Sequence, residues 1–312
     1  MRKRFTIAIP AFKARFLNEC IDSILNQTYI DFELVIVNDA SPENVEAIVQ
    51  TYDDIRIRYY KNDVNIGAEN VVDNWNKCLE YARCEYFVLM GDDDKLAPNY
   101  LEEFVKLIEQ YPNLGVYHCR AKIIDENSEF VFLSESRPEY ESVFSLIWYR
   151  MMGRLQYISD FVYHTETLKN NGGYYKLPLA WASDDISAYI TAYKAGIAHT
   201  NKPIFLYRHS GITISSTGNI DLKMTAIIEE EKWISDFLIT NQPQCEEDEM
   251  LRSMIMKKIK KHFVGRRKGL YIGFFVKSPL KYTIWFLQNK IKYQLSLITI
   301  LDAMKGCFVR SK

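Results

Sequence analysis

The first 120 residues alternate between two hydrophobic periods, and this alternation constrains the fold more than any other feature of the chain. Thr6-Ile-Ala-Ile-Pro10, Phe32-Glu-Leu-Val-Ile-Val37, residues 55–60, Tyr86-Phe-Val-Leu-Met90 and residues 114–124 read as strands. Between them, apolar residues at helical spacing predict helices over 16–25, 41–49, 68–82 and 98–108. Ser41-Pro42 reads as the N-cap and first residue of the second helix. The strands carry near-continuous apolar runs, so both faces of their sheet are covered. Repeated β-α-β units of this kind predict an α/β fold, a mostly parallel sheet flanked by helices.

After Asp125 the rhythm loosens. Residues 141–152 and 184–195 read as helices, with aromatic-rich chain between them, and 204–207 as one more strand. From Asp221 the pattern is helical throughout: 222–239, 246–264 and 281–304. A boundary is expected near residue 220.

Charge separates the same two parts. The 312 residues hold 39 Lys and Arg against 40 Asp and Glu. Residues 256–312 alone hold 14 bases and one acid, Asp302, a surplus of thirteen; the remainder holds 25 bases and 39 acids. An acidic body with a basic end suggests a polyanionic or membrane-surface partner for that end. Six cysteines form no CxxC pair and read as reduced thiols of a cytosolic protein. No signal segment and no membrane-spanning run is legible.

In an open α/β sheet, ligands sit at the carboxyl ends of the strands. Three polar clusters fall there: Pro10-Ala11-Phe12, Asn38-Asp39-Ala40-Ser41 and Gly91-Asp92-Asp93-Asp94. Adjacent carboxylates repel unless a cation or hydrogen-bond donors compensate them, and oxygen-only ligands suit Mg²⁺ or Mn²⁺. The alternative is a solvated acidic turn. A second acid pair, Asp184-Asp185, opens a helix, either as a cap favoured by the dipole or as a general base in a cleft. There is no P-loop, no dinucleotide fingerprint, no zinc-protease motif and no nucleophile elbow.

These pieces, in this order, resemble glycosyltransferase family 2, the inverting transferases of GT-A fold. The resemblance runs through Phe5-Thr-Ile-Ala-Ile-Pro-Ala-Phe12, Ser23-Ile-Leu-Asn-Gln-Thr28, Phe32 to Ser41, Asn65-Ile-Gly67 with Asn70, and Tyr86 to Pro98. It continues through Asn171-Gly-Gly-Tyr174, Asp184-Asp185, Gly196, Tyr207-Arg-His209 and Ser215, covering roughly residues 5–215. It implies a Rossmann-like mixed sheet in a catalytic domain over 1–220. The nucleotide-sugar half would span about 1–125 and the acceptor half about 126–220. A helical, basic region over 221–312 follows.

The resemblance also implies roles. Pro10, Ala11, Phe12, Asp39, Asn65 and Gly67 would hold the nucleotide, with Asp39 accepting from a uracil ring. Asp92 and Asp93 would sit at the diphosphate, Asp93 as direct ligand of Mn²⁺ or Mg²⁺ and His209 as a further ligand. Asp185 would be the catalytic base, with Asp184 beside it and Arg208 near the diphosphate. The chain departs from the pattern at Gly91, Asn38, Ala40, Glu69 and Asp184. Among the aromatics of the middle region, Trp181 is the expected acceptor contact.

The expected function is transfer of a sugar from a nucleotide donor, UDP-linked by this reading, to a hydroxyl of a glycan or lipid-linked saccharide in bacterial surface polysaccharide synthesis. The alternatives are a catalytically inactive sugar-nucleotide or carbohydrate-binding module and a nucleotidyltransferase of related fold. The expected location is cytoplasmic and peripheral at the inner face of the membrane, through the basic C-terminal region. Nucleic acid is not an expected partner.

Overall fold

A computed structural model describes residues 4–209 and 219–310, with side chains through Lys305. Ser215 lies outside the described residues. The chain runs β1 Phe5–Ala11, α1 Leu17–Leu25, β2 Phe32–Asn38, α2 Val45–Val49, β3 Ile57–Lys61, α3 Val71–Glu80, β4 Tyr86–Leu89, β5 Lys95–Leu96 and α4 Tyr100–Gln110. It continues with β6 Val116–Ile124, β7 Phe130–Leu133, β8 Tyr140–Glu141, α5 Val143–Met151, β9 Phe161–His164, α6 Thr165–Asn170, α7 Ser183–Ala192 and β10 Ile197–Arg208. Four helices follow: α8 Ile220–Thr240, α9 Glu246–Lys277, α10 Pro279–Asn289 and α11 Leu297–Arg310.

The strands form one sheet in the order β3-β2-β1-β4-β9-β6-β10-β5, with β7 on β6 and β8 on β10. The first four strands are parallel and arranged 3-2-1-4, the order that reverses direction between β1 and β4. Alternation along the strands explains the layering. Phe5, Ile7, Ile9, Leu34, Ile36 and Val88 join Leu17, Ile21, Ile24, Leu101 and Phe104 in one core. The intervening residues Ala8, Val35, Val37 and Leu89 are equally buried, and α3 packs against β1, β2 and β4.

The sheet is more mixed than the sequence suggests. β9 inserts antiparallel between β4 and β6, where the sequence reads only as aromatic-rich chain. The strand expected over 204–207 is the end of β10, which pairs parallel to β6 across an irregular register between Thr200 and Phe205. The second helix starts at Val45 rather than at Ser41-Pro42. The Ser41 hydroxyl donates to the Phe12 carbonyl at 2.5 Å and accepts from Glu43 N, so it holds a loop instead of a cap.

The structure divides into two compact units. The first holds the sheet with its helices, up to Lys176 and again from Ser183 to the end of β10. The second holds Leu177–Ala182 and the four C-terminal helices, so Trp181 travels with the second. Its core gathers Met224, Tyr271, Phe275, Tyr282, Phe286 and Tyr293. The single helix expected over 281–304 is two, separated at residues 290–296, where Gln294 takes a positive φ of 53°.

Candidate active site

The strand order reverses between β1 and β4, and two of the three polar clusters meet at that point. Asp92, just after β4, accepts from the backbone N–H groups of Phe12 at 2.8 Å and Lys13 at 2.7 Å through one oxygen. That clip fixes the loop after β1. The Lys13 ammonium lies 2.6 Å from Asp93 and 3.8 Å from the other oxygen of Asp92. Burial works against its charge, but Asp92, Asp93 and Asp94 outweigh burial and hold its pKa above the ordinary lysine value. Asp94 is buried and accepts from the backbone N–H of Arg208 at 2.8 Å. Burial, then the charge of Asp93, pushes its carboxyl well above the usual range.

Gly91 is explained by the same packing. A Cβ built there meets Asp94 Oδ2 at 2.6 Å, so the aspartate usual in the family fits only if the Asp94 side chain shifts. Its N–H donates to Ser159 Oγ at 3.1 Å.

The third cluster organises the next loop. Asp39 Oδ1 accepts from Asn62 at 2.7 Å and from Ile66 N–H at 3.0 Å, while Oδ2 accepts from Asn65 at 3.1 Å. Oδ2 therefore retains capacity for one more donor. Gly67 has φ of 80°, which lets the loop turn. Asn38 donates to the Tyr59 hydroxyl and accepts from Ser41 N–H, two roles that an ionised aspartate cannot combine. Ala40 has φ of 48°, the left-handed conformation that accounts for the glycine usual there. Pro10 and Ala11 end β1, and Phe12 stands 40% exposed beside them.

Asp184 and Asp185 lie in the first turn of α7. Asp185 is buried, and Arg150 Nε lies 2.9 Å and 3.0 Å from its two oxygens. Gln156 donates to Oδ1 at 2.7 Å. Arg150 in turn donates to the Arg154 carbonyl, so the end of α5 and the next turn are tied to α7. The Asp185 charge raises the Arg150 pKa above its ordinary value. Asp184 is only partly buried; burial, then the neighbouring Asp185 charge, pushes its carboxyl up to about 7.

The 3-10 turn Ile158–Asp160 joins the two acid regions. Ser159 holds Gly91, and Asp160 is close enough to Asp184 and Asp185 for their charges to raise its pKa further, beyond the dominant effect of burial.

The structure gives three more of the expected residues specific surroundings. Arg208 is 1% exposed, with its guanidinium bound to the Asp93, Asp125 and Glu126 carbonyls, Ser128 and Glu19 and lying over the Phe16 ring. It braces the loop after β4 from beneath rather than offering a guanidinium to a ligand. Trp181 lies 5.0 Å beneath the Lys223 ammonium within the second unit. His209 is exposed at the end of β10. Among the described residues, no three His, Cys, Asp or Glu side chains gather as a ready cage, so Asp92, Asp93 and His209 do not form one.

The donor set still fits a hard divalent ion. Asp93 and the second oxygen of Asp92 already face a cation, the Lys13 ammonium. Mg²⁺-type sites take one or two carboxylates and complete themselves with phosphate oxygens and water. Lys13, Arg150, Gln156 and Asn62 are not evident from the sequence. Each is brought to its acid from a distant part of the chain, and no local spacing marks it.

The sheet order, with the acids at its switch point and the acid pair on α7, is the arrangement of the GT-A fold. Solved structures share the fold. S. aureus TarS residues 1–349 in complex with UDP-GlcNAc aligns over 86% of this chain and 80% of its own, with a TM-score of 0.62 at 15% identity. Mannosyltransferase PcManGT from Pyrobaculum calidifontis, in complex with GDP-Man and Mn²⁺, aligns over 100% and 89%, with a TM-score of 0.57 at 15% identity.

Residues 6–167 match glycosyl transferase family 2, and the chain belongs to that family. An uncharacterized glycosyltransferase of Rickettsia typhi is 29% identical over 137 residues, 43% of this chain and 42% of the relative. One of Methanocaldococcus jannaschii is 35% identical over 129 residues, 40% and 42%. The match thus spans about two fifths of the length of these two relatives.

Proposed function

We propose that this family 2 glycosyltransferase is an inverting, metal-dependent enzyme. It moves a sugar from a UDP-sugar to a hydroxyl of a glycan or lipid-linked saccharide in bacterial surface polysaccharide synthesis. One observation carries the reading. Within a single unit, carboxylates that already face a cation at the β1/β4 switch point are joined through the 157–160 turn to a second acid pair at a helix start.

In this reading Asp39 Oδ2 accepts from the uracil ring, with Phe12 alongside. Asn65 and Gly67 shape that wall, and Pro10 and Ala11 form its floor. Asp93 and Asp92 would hold Mn²⁺ or Mg²⁺. A bound divalent ion supplies charge neutralisation on the diphosphate leaving group. His209, on the exposed end of β10, is the residue from which a further ligand would come. Lys13 brings a positive charge of the chain's own to the same oxygens. The complex of TarS with UDP-GlcNAc supports a uridine donor, and the complex of PcManGT with Mn²⁺ supports the metal.

Asp185, in the position that the family pattern assigns to the base, removes the acceptor proton. General-base assistance is worth about 10²–10⁴-fold. A single displacement then inverts the anomeric centre. A specific observation favours a second reading, in which Asp184 is the base. It is the more exposed of the two, and it is tuned to about 7, while both Asp185 oxygens are engaged by Arg150. Asp184→Asn and Asp185→Asn separate the readings. The base variant keeps donor binding and loses transfer at every pH, and the neighbour's variant keeps transfer with a shifted pH profile.

The protein works at the inner face of the membrane, held there by its basic second unit. Among the described residues no helix is long and apolar enough to cross a membrane. A thermal-shift screen of nucleotide sugars with and without Mn²⁺ tests the assignment. A UDP-sugar that stabilises the protein only with metal, followed by release of UDP, supports it. Release of pyrophosphate assigns a nucleotidyltransferase instead, and binding without turnover or hydrolysis assigns an inactive sugar-nucleotide module.

A further inference from the structure

Two helices of the second unit are apolar on opposite sides. On α10, Tyr282 and Phe286 enter the core beside Tyr271 and Phe275 of α9. Leu280, Ile284 and Leu287 follow at i, i+4 and i+7, and Ile291 extends the series just past the helix end. These four are between 52% and 87% exposed. At 100° per residue they share an arc of about 60°, on the far side from Tyr282 and Phe286. α11 repeats the arrangement: Thr299 and Ala303 are buried, while Leu297, Leu301 and Met304 are exposed. A second apolar face gives a helix nothing in water, and a contiguous one marks an interaction surface.

The charges beside the stripe say what covers it. Lys281 lies about 100° to one side, and Lys290, continuing in helical conformation, about 80° to the other. Lys277 and Lys292 add to them, and residues 270–301 contain no Asp or Glu. A stripe of Leu and Ile between lysines matches an anionic lipid surface, apolar in its interior and negative at its rim. A second copy fits poorly, because a two-fold contact would set these lysines against their own counterparts.

Three bases on α9 pair within the second unit. Arg266 pairs with Glu230 at 2.5 Å, Arg267 with Glu231 and Lys268 with Asp302. Those three bases hold α9 to α8 and α11.

We propose that α10 and α11 seat the second unit on an anionic membrane. Leu280, Ile284, Leu287 and Ile291 lie in the acyl boundary, and Lys277, Lys281, Lys290 and Lys292 lie on the phosphate headgroups. This inference rests on the membrane-side reading above and names the surface that makes the contact. The attachment is peripheral, since no described helix is long and apolar enough to cross.

Flotation of the full chain with vesicles tests it. Phosphatidylcholine vesicles containing phosphatidylglycerol carry the protein up, and pure phosphatidylcholine vesicles do not. The pair Ile284→Ser and Ile291→Ser, both at exposed positions, lowers binding by roughly tenfold or more while stabilisation by UDP is unchanged. Lys281→Glu with Lys292→Glu lowers it by a similar factor at low salt. If the wild-type chain binds the anionic vesicles and both pairs bind as well as it does, the assignment of this face is wrong while the membrane reading stands. If the wild-type chain binds neither vesicle, both fail. A chain that sediments as a dimer dissociated by the serine pair shows that a second copy covers the face, and overturns the proposal.

Discussion

Replacing Arg150 with methionine removes the one guanidinium that holds Asp185. Arg150 Nε lies 2.9 Å and 3.0 Å from its oxygens, and Asp185 is 3% exposed, so little water screens the pair. The Arg150 charge also holds down the Asp184 carboxyl; a neighbouring guanidinium lowers a carboxylate pKa by about 1–3 units, and its loss returns up to that amount to Asp184. Asp184 already sits at about 7. The sign follows from Asp184 needing to be ionised: raising its pKa moves the acid limb of the pH–rate profile to higher pH by about 1–3 units. At neutral pH the rate falls about 5- to 500-fold from a starting pKa of about 7, and most of it returns at alkaline pH. Stability drops by about 2–3 kcal/mol, less than the loss from breaking a wholly buried pair, because the Arg150 side chain is one-third exposed. Release of nucleoside diphosphate, followed across the pH range in wild type, Arg150→Met and Arg150→Lys, measures this. The lysine variant keeps the charge and holds the limb near its original place. An equal loss at every pH in the methionine variant, with the limb unmoved, refutes the reasoning.

Three further outcomes are expected. Asp93→Asn abolishes Mn²⁺-dependent stabilisation by UDP, since it removes the carboxylate that faces the Lys13 ammonium at 2.6 Å; unchanged metal-dependent stabilisation contradicts its role. Gly91→Asp, which restores the usual family residue, destabilises the fold by about 1–3 kcal/mol, because its Cβ falls 2.6 Å from Asp94 Oδ2; a melt equal to wild type refutes the packing argument. Burial holds His199 neutral down to about 4, even with Glu141 against it. Its folded pKa lies below the unfolded value of about 6.5, so its contribution is present above that value and is lost as pH falls toward 4. The loss is about 3 kcal/mol, absent in His199→Gln, and is read from denaturant unfolding at each pH.

The parallel half of the sheet was legible because β1, β2 and β4 are buried on both faces and read as near-continuous apolar runs. The same runs located the three polar clusters, since a buried strand that ends in acids can end only at an edge where water or a ligand enters. β9 was not legible: Phe161–His164 is four residues long and its place is set by pairing with β4 and β6, far away in the chain. β5 and β8, two residues each, have no period to read. The break between α10 and α11 carries no glycine or proline; it is closed by Leu295 N–H donating to the Lys290 carbonyl. In the site, the acids were visible and their partners were not. Lys13 meets Asp93 across 80 residues, and Arg150 meets Asp185 across 35. Such partners also decide what an acid is free to do, which is why the sequence pointed to Asp185 alone and the structure brings Asp184 forward beside it.

The central claim is inverting transfer from a UDP-sugar driven by the α7 acid pair. The direct measurement is NMR of the product formed from an α-linked UDP-sugar with Mn²⁺, alongside UDP release, in wild type and in the Asp184→Asn/Asp185→Asn double variant. The account predicts a β-linked product and stoichiometric UDP from the wild type. It predicts donor binding without transfer from the double variant. An α-linked product, or wild-type turnover in the double variant, contradicts it.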